Sequence, residues 1–220
     1  MSNAGRVPDP PAHKATGARG LRTASRRFLA AHVESPMTSL LSRLGFTPNL
    51  LTLTGLGVAG ASALLSGMGL LLASGIVLLA SGAFDLLDGA VARATGRASS
   101  FGALLDSVVD RVGEMVVLLG VLVFYVGVEP STVGVVLVYL AVSGSVMVSY
   151  LRARAESLGI ECEDGVMTRP ERVITLAAGL VIAQWWNPAL LIALTAMAAL
   201  TMLTAAQRLV TVRRGLQTPR

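Results

Sequence analysis

The chain has a single cysteine, Cys162, in 220 residues, so no disulfide framework is available to it. One thiol and no bridge fit polar loops that face a reducing compartment. Charge is scarce as well: 14% of residues are Asp, Glu, Lys or Arg, against 53% hydrophobic. The charges fall in clusters between long apolar runs, a pattern that excludes a soluble globule. No apolar core of a signal peptide follows the N-terminus. Internal repeats are absent, and Gly89, Gly96 and Gly102 lie too far apart for a P-loop. The net charge of +5, in so apolar a chain, points to anionic lipid and phosphate partners and not to nucleic acid.

Between those clusters the sequence predicts an all-α membrane bundle. Residues 1–20 are rich in Pro, Gly, Ala and charge without periodicity, and read as a disordered tail. Residues 21–46 alternate basic and apolar positions at helical spacing, with Arg22, Arg26 and Arg27 opposing Phe28, Leu29 and Val33. That predicts an interfacial amphipathic helix, a soluble cap being the alternative. A transmembrane domain is expected over 47–212, followed by a short tail at 213–220. Thr47 caps its first helix and Pro48 opens it. Six spans are predicted, at about 50–65, 70–92, 102–126, 132–151, 173–186 and 189–209. Gly57, Gly60 and Gly144 read as places of close helix packing, and Trp185 with Trp186 as part of an aromatic belt.

Charge fixes the expected orientation. The turns at 66–69, 127–131 and 184–188 contain no Lys or Arg, and all 18 basic residues lie on the other side. Both termini and the polar loops are therefore predicted to be cytoplasmic in the cell membrane.

The most informative stretch is DLLDGAVARATGRASSFGALLDSVVD, residues 85–110. Asp85 and Asp88 are three apart, Asp106 and Asp110 four apart, so each pair shares a helix face. The glycines between them let the chain turn back. A carboxylate at membrane depth costs about 2.5–3.5 kcal/mol even on the lenient insertion scale, so a positive group is expected among the four. Oxygen donors on two facing helices suit Mg²⁺ or Mn²⁺ better than zinc, and four carboxylates suffice for two ions. Carboxylates that merely cap helices at a membrane surface are the bland alternative. A divalent-cation transporter is another, although the other four spans carry no acid at their centres.

Written as D-x2-D-G-x2-A-R-x8-G-x3-D-x3-D, with Gly89, Ala92, Arg93 and Gly102 in the fixed places, the stretch resembles the motif of the CDP-alcohol phosphotransferases. That resemblance implies a membrane enzyme of phospholipid synthesis, acting as a homodimer on a CDP-linked lipid and releasing CMP. Asp85, Asp88, Asp106 and Asp110 are then metal ligands, with Asp110 also the catalytic base. Gly89 and Gly102 leave room for the nucleotide, and Arg93 reaches the diphosphate. Ser99 and the Thr47-Pro48-Asn49 turn are placed near cytidine. Thr-Pro is also an ordinary helix start.

The segments SYLRARAES, RPER and Ala206-Gln207-Arg208 resemble those of the bacterial phosphatidylinositol-phosphate synthases within the family. They imply CDP-diacylglycerol as donor and an inositol phosphate as acceptor, its phosphate held by Ser149, Arg152, Arg172 and Arg208. Several relatives carry Lys where this chain has Arg152. Glycerol 3-phosphate as acceptor is the neighbouring alternative, and Arg154 is expected to be a bystander.

Overall fold

Thr47 ends an extended entry and caps the first helix: its hydroxyl accepts the Leu50 N–H at 3.3 Å, with Pro48 at the first helical position. A computed structural model describes residues 45–96, 98–162 and 165–217. The tail expected at 1–20, and all but the last two residues of the interfacial helix expected at 21–46, lie outside the described residues.

Regular structure among the described residues is helical throughout. Helix α1 spans Pro48–Gly67, α2 Leu71–Ala94, α3 Ser100–Val123, α4 Thr132–Ser157, α5 Arg169–Ala183 and α6 Pro188–Gln217. Helix α3 ends in a wider turn, Phe124–Val128. The buried Tyr125 of that turn packs against the backbone of Gly134, where a side chain would collide with its ring. Five helices are long and apolar enough to cross a membrane, by length and composition. Helix α5 has 15 residues, about 22 Å at 1.5 Å per residue, shorter than the ~30 Å hydrocarbon core. It begins four residues before the expected position and stops before Trp185 and Trp186, which lie in the following turn and are exposed. Helix α6 runs on to Gln217, beyond the boundary expected at 212.

The helices form a ring. Helix α1 packs along both α2 and α3; α2 packs against α5, α5 against α6, and α6 against α4, while α3 and α4 close the ring with a lighter contact. The two helices that carry the aspartates, α2 and α3, hardly touch, although only a short turn joins them. Gly96 makes that turn possible, with φ at +65°. A gap lined by carboxylates therefore stands between α2 and α3, with α1 holding both.

Polar contacts bind the pairs where lipid supplies no hydrophobic drive. Ser62 on α1 donates to the Ser74 carbonyl at 2.9 Å, Ser74 on α2 donates back to the Ser62 carbonyl at 2.9 Å, and Ser81 donates to the Gly55 carbonyl. Close approach at glycine is real, but not at every position the sequence suggests. Gly144 on α4 lies against Thr201 of α6, and Gly120 on α3 against the Ala63 backbone of α1. Gly57 and Gly60 face open space, with nothing near the position of a side chain. Their expected packing role is corrected: the close face of α1 is the one bearing Gly55 and Ala59, opposite Phe84 and Gly113.

Candidate active site

Spacing on the two motif helices turns all four aspartates into or beside the gap. Asp88, the most buried of them, accepts a hydrogen bond from the Thr52 hydroxyl of α1 at 2.6 Å and one from the Gly89 N–H. Asp85 of α2 and Asp110 of α3 meet on one atom: Nη2 of Arg169 stands 2.6 Å from the first and 2.8 Å from the second. Arg169 is the first residue of α5. The positive group expected among the carboxylates is thus, in this structure, a guanidinium supplied by the chain itself. The sequence reading gave Arg169 no role.

The acids are consequently two pairs and not one cluster. Asp85 and Asp110 flank Arg169, while Asp88 and Asp106 line a cavity on the other side. Among the described residues, no three Asp, Glu, His or Cys side chains converge closely enough to hold a metal ion as they stand. The donor chemistry still fits a hard divalent cation, because every candidate ligand is a carboxylate oxygen drawn from two facing helices.

The cavity beside Asp88 and Asp106 has a volume of about 220 Å³ and is walled by α1, α2 and α3. Pro48, Asn49, Gly89, Arg93, Ser99 and Gly102, all expected to bind the CDP-lipid, line it. Thr47 does not; its hydroxyl is spent on the cap of α1. Ser99 caps α3 by accepting the Gly102 N–H at 3.0 Å, yet still reaches the cavity wall. The two glycines keep the space open. A β-carbon at Gly102 would lie 3.1 Å from Ser99 Oγ, and one at Gly89 would lie 3.3 Å from Arg93 Nη1. Thr52, which the sequence reading missed, joins this wall through its bond to Asp88.

A second cavity, of about 680 Å³, opens on the far side of Asp110, among α3, α4, α5 and α6. Ser149, Arg152, Arg172 and Arg208 all line it, so the fold brings together residues spread over 60 positions of sequence. Arg154 is not among its walls. The arginines are held very differently. Arg152 is half-exposed and pairs with Glu156 at 2.8 Å. Arg208 is buried and donates from Nη1 to the Val148 carbonyl at 2.6 Å. Arg172 is buried and grips Glu114 with two nitrogens, Nε at 2.7 Å and Nη2 at 2.8 Å. Arg111, Thr168, Arg169 and Glu114 also line the cavity and were missed from sequence. Only Glu114 left a signal: it is the one charge between Val112 and Val128, one turn beyond Asp110.

A cavity walled by the motif helices and an arginine-lined cavity thus lie beside the aspartates, Asp88 and Asp106 facing the first and Asp110 the second. The family model described as CDP-alcohol phosphatidyltransferase matches residues 46–213. The chain belongs to this family. A phosphatidylinositol phosphate synthase of Mycobacterium marinum is 36% identical to this phosphatidyltransferase over 191 residues, covering 84% of this chain and 82% of the relative. Among solved structures, the phosphatidylinositol phosphate synthase of Mycobacterium tuberculosis with CDP-DAG bound superposes with a TM-score of 0.76 at 34% identity, covering 82% of this chain and 93% of that one. The same enzyme in complex with manganese and citrate gives 0.78 at 34% identity, with 82% and 89% covered. This phosphatidyltransferase is a multi-pass membrane enzyme, and the cation-transporter alternative is set aside by its family.

Proposed function

We propose that this phosphatidyltransferase moves the phosphatidyl group of CDP-diacylglycerol to a hydroxyl of an inositol phosphate and releases CMP. The observation that carries the reading is the pair of cavities on α3, one walled by the motif helices and lined by Asp88 and Asp106, the other lined by arginines and by Asp110, one turn beyond Asp106. The relatives' names support the same substrates, and CDP-DAG is bound in one relative's structure.

In this reading the CDP-lipid lies along α2 and α3, its nucleotide against Gly89 and Gly102 and beside Asn49 and Ser99. Arg93 directs its guanidinium to the diphosphate, where a planar fork matches two phosphate oxygens. Asp85, Asp88, Asp106 and Asp110 hold divalent cations, Mg²⁺ or Mn²⁺, two in number, and manganese in a relative's structure supports such an ion. Bound there, the ions neutralise charge on the diphosphate and on the departing CMP. Ser149, Arg152, Arg172 and Arg208 bind the acceptor's phosphate, and Arg169, at the boundary of both groups, belongs with them. The acceptor hydroxyl then faces Asp110, which takes its proton as the new O–P bond forms and the bond to CMP breaks. The arginine distribution favours an active site on the cytoplasmic side, and the family resemblance favours a homodimer.

The test is turnover of CDP-diacylglycerol by the purified enzyme with a panel of phosphorylated alcohols, CMP release being measured. Inositol phosphate is expected to be the preferred acceptor. Preference for glycerol 3-phosphate would leave the cavities in place but overturn the named acceptor.

A further inference from the structure

Glu114 is a buried acid inside a membrane helix that the transfer reaction does not use. Its side chain is 7% exposed, and its partner Arg172 is 3% exposed. Three helices meet on this carboxylate. Oε1 accepts from the Ser145 hydroxyl of α4 at 2.7 Å and from Nε of Arg172 on α5 at 2.7 Å, and Oε2 accepts from Arg172 Nη2 at 2.8 Å. Glu114 itself belongs to α3, so the carboxylate joins α3 to α4, which otherwise contact each other lightly.

The geometry has a consequence for the arginine. A guanidinium offers two forked edges: a side edge of Nε and Nη2, and an end edge of Nη1 and Nη2. Glu114 takes the whole side edge. Nη1 also donates to the Met167 carbonyl at 3.4 Å, so the N–H groups left for an anion are on the terminal nitrogens Nη1 and Nη2. Both Glu114 and Arg172 line the large cavity. With Glu114 in place, the arginine can offer an anion only its end edge. Without it, the guanidinium could rotate and present either edge or neither.

We infer that Glu114 is a positioning residue, which fixes the edge of Arg172 that meets the acceptor's phosphate. Ser145 fixes Glu114 in turn. The inference rests on the reading of the large cavity as the acceptor site.

The test is steady-state kinetics of the full-length enzyme in lipid bilayers, with inositol phosphate varied at saturating CDP-diacylglycerol and then the reverse. Glu114→Gln is expected to raise the acceptor KM about tenfold, the loss of one charge-assisted fork, with the donor KM unchanged. Ser145→Ala, which leaves the ion pair intact, should raise it about twofold to threefold. In an Arg172→Ala background, Glu114→Gln should have no further effect on the acceptor KM. Glu114→Asp, which keeps the charge, should recover most of the loss. If Arg172→Ala raises the acceptor KM and Glu114→Gln leaves it unchanged or lowers it, the positioning role is overturned while the cavity reading stands. If Arg172→Ala itself leaves the acceptor KM unchanged, the cavity reading fails first. Should Glu114→Gln not fold, Ser145→Ala decides: an unchanged acceptor KM in that variant overturns the inference.

Discussion

The two cavities beside the aspartates are built in opposite ways. The smaller is walled by α1, α2, α3 and the turn into α3, from residues 48 to 106, and its charged groups are few: Asp88 and Asp106 against Arg93. The larger gathers the ends of four helices between residues 104 and 208, and sets Arg111, Arg152, Arg169, Arg172 and Arg208 against Asp110, Glu114 and Glu156. One is a local structure, fixed by a hairpin of two helices with a third behind them. The other exists only when the whole ring has closed. A site for a common, invariant donor can be local; a site that recognises one acceptor among several draws on contacts from the whole bundle.

The largest effects are expected at the carboxylates, where Asp106 faces the smaller cavity and Asp110 the larger. Asp106→Asn is expected to abolish turnover, by a thousandfold or more, while the purified protein keeps its helical content by circular dichroism. Excess chelator should do the same to the unmutated enzyme, and full turnover in chelator would remove the metal from the proposal. Next in size is Asp110→Asn. As the base it should lower kcat about a hundredfold while CDP-diacylglycerol still binds; Asp85→Asn should weaken both, and equal loss of binding in the two variants would make Asp110 an ordinary ligand.

Smaller effects test whether the two cavities bind separate substrates. Arg93→Ala should raise the donor KM about tenfold and spare the acceptor, and Arg208→Ala should do the reverse, since a hydrogen bond to a charged group is worth about 1.5–3 kcal/mol. Crossed results, with each variant disturbing the other substrate, would merge the cavities into one site. Smallest of all is Arg152→Ala. Its guanidinium is half-exposed and already paired with Glu156, so the acceptor KM should rise only about threefold, with still less at high salt. Arg154→Ala, outside both cavities, should change neither constant.

The sequence made the local cavity legible and the assembled one only in outline. Asp85, Asp88, Gly89 and Arg93 recur at helical spacing, so a single helix places them; Thr47 and Pro48 mark the start of α1 by chemistry that needs no tertiary contact. Arg152, Arg172 and Arg208 share one cavity because the expected six-span topology puts their helix ends at a common depth. What they touch was not legible. Arg172 binds Glu114 across 58 residues of sequence, and Arg169 reaches Asp85 and Asp110 from a helix start that reads as a loop arginine. Gly57 and Gly60 misled for a related reason. A small residue permits close approach, but only the ring order decides which face of α1 receives a neighbour, and that order puts α2 and α3 on its other faces.

Helix α1 carries no charge and supplies no aspartate, yet it is the fulcrum of the active site. The two motif helices lean on it from either side and scarcely on each other, so the width of the carboxylate gap is set by how closely each seats on α1. Gly120 is one such seat, where the α1 backbone at Ala63 leaves no room for a methyl group. Gly120→Ala would act as a wedge ten residues from Asp110, about 15 Å along the helix, tilting α3 without touching any group that handles substrate. Distances between spin labels on the C-terminal end of α2 and the N-terminal end of α3 would read the tilt directly. An unchanged distance would mean that some other contact sets the gap.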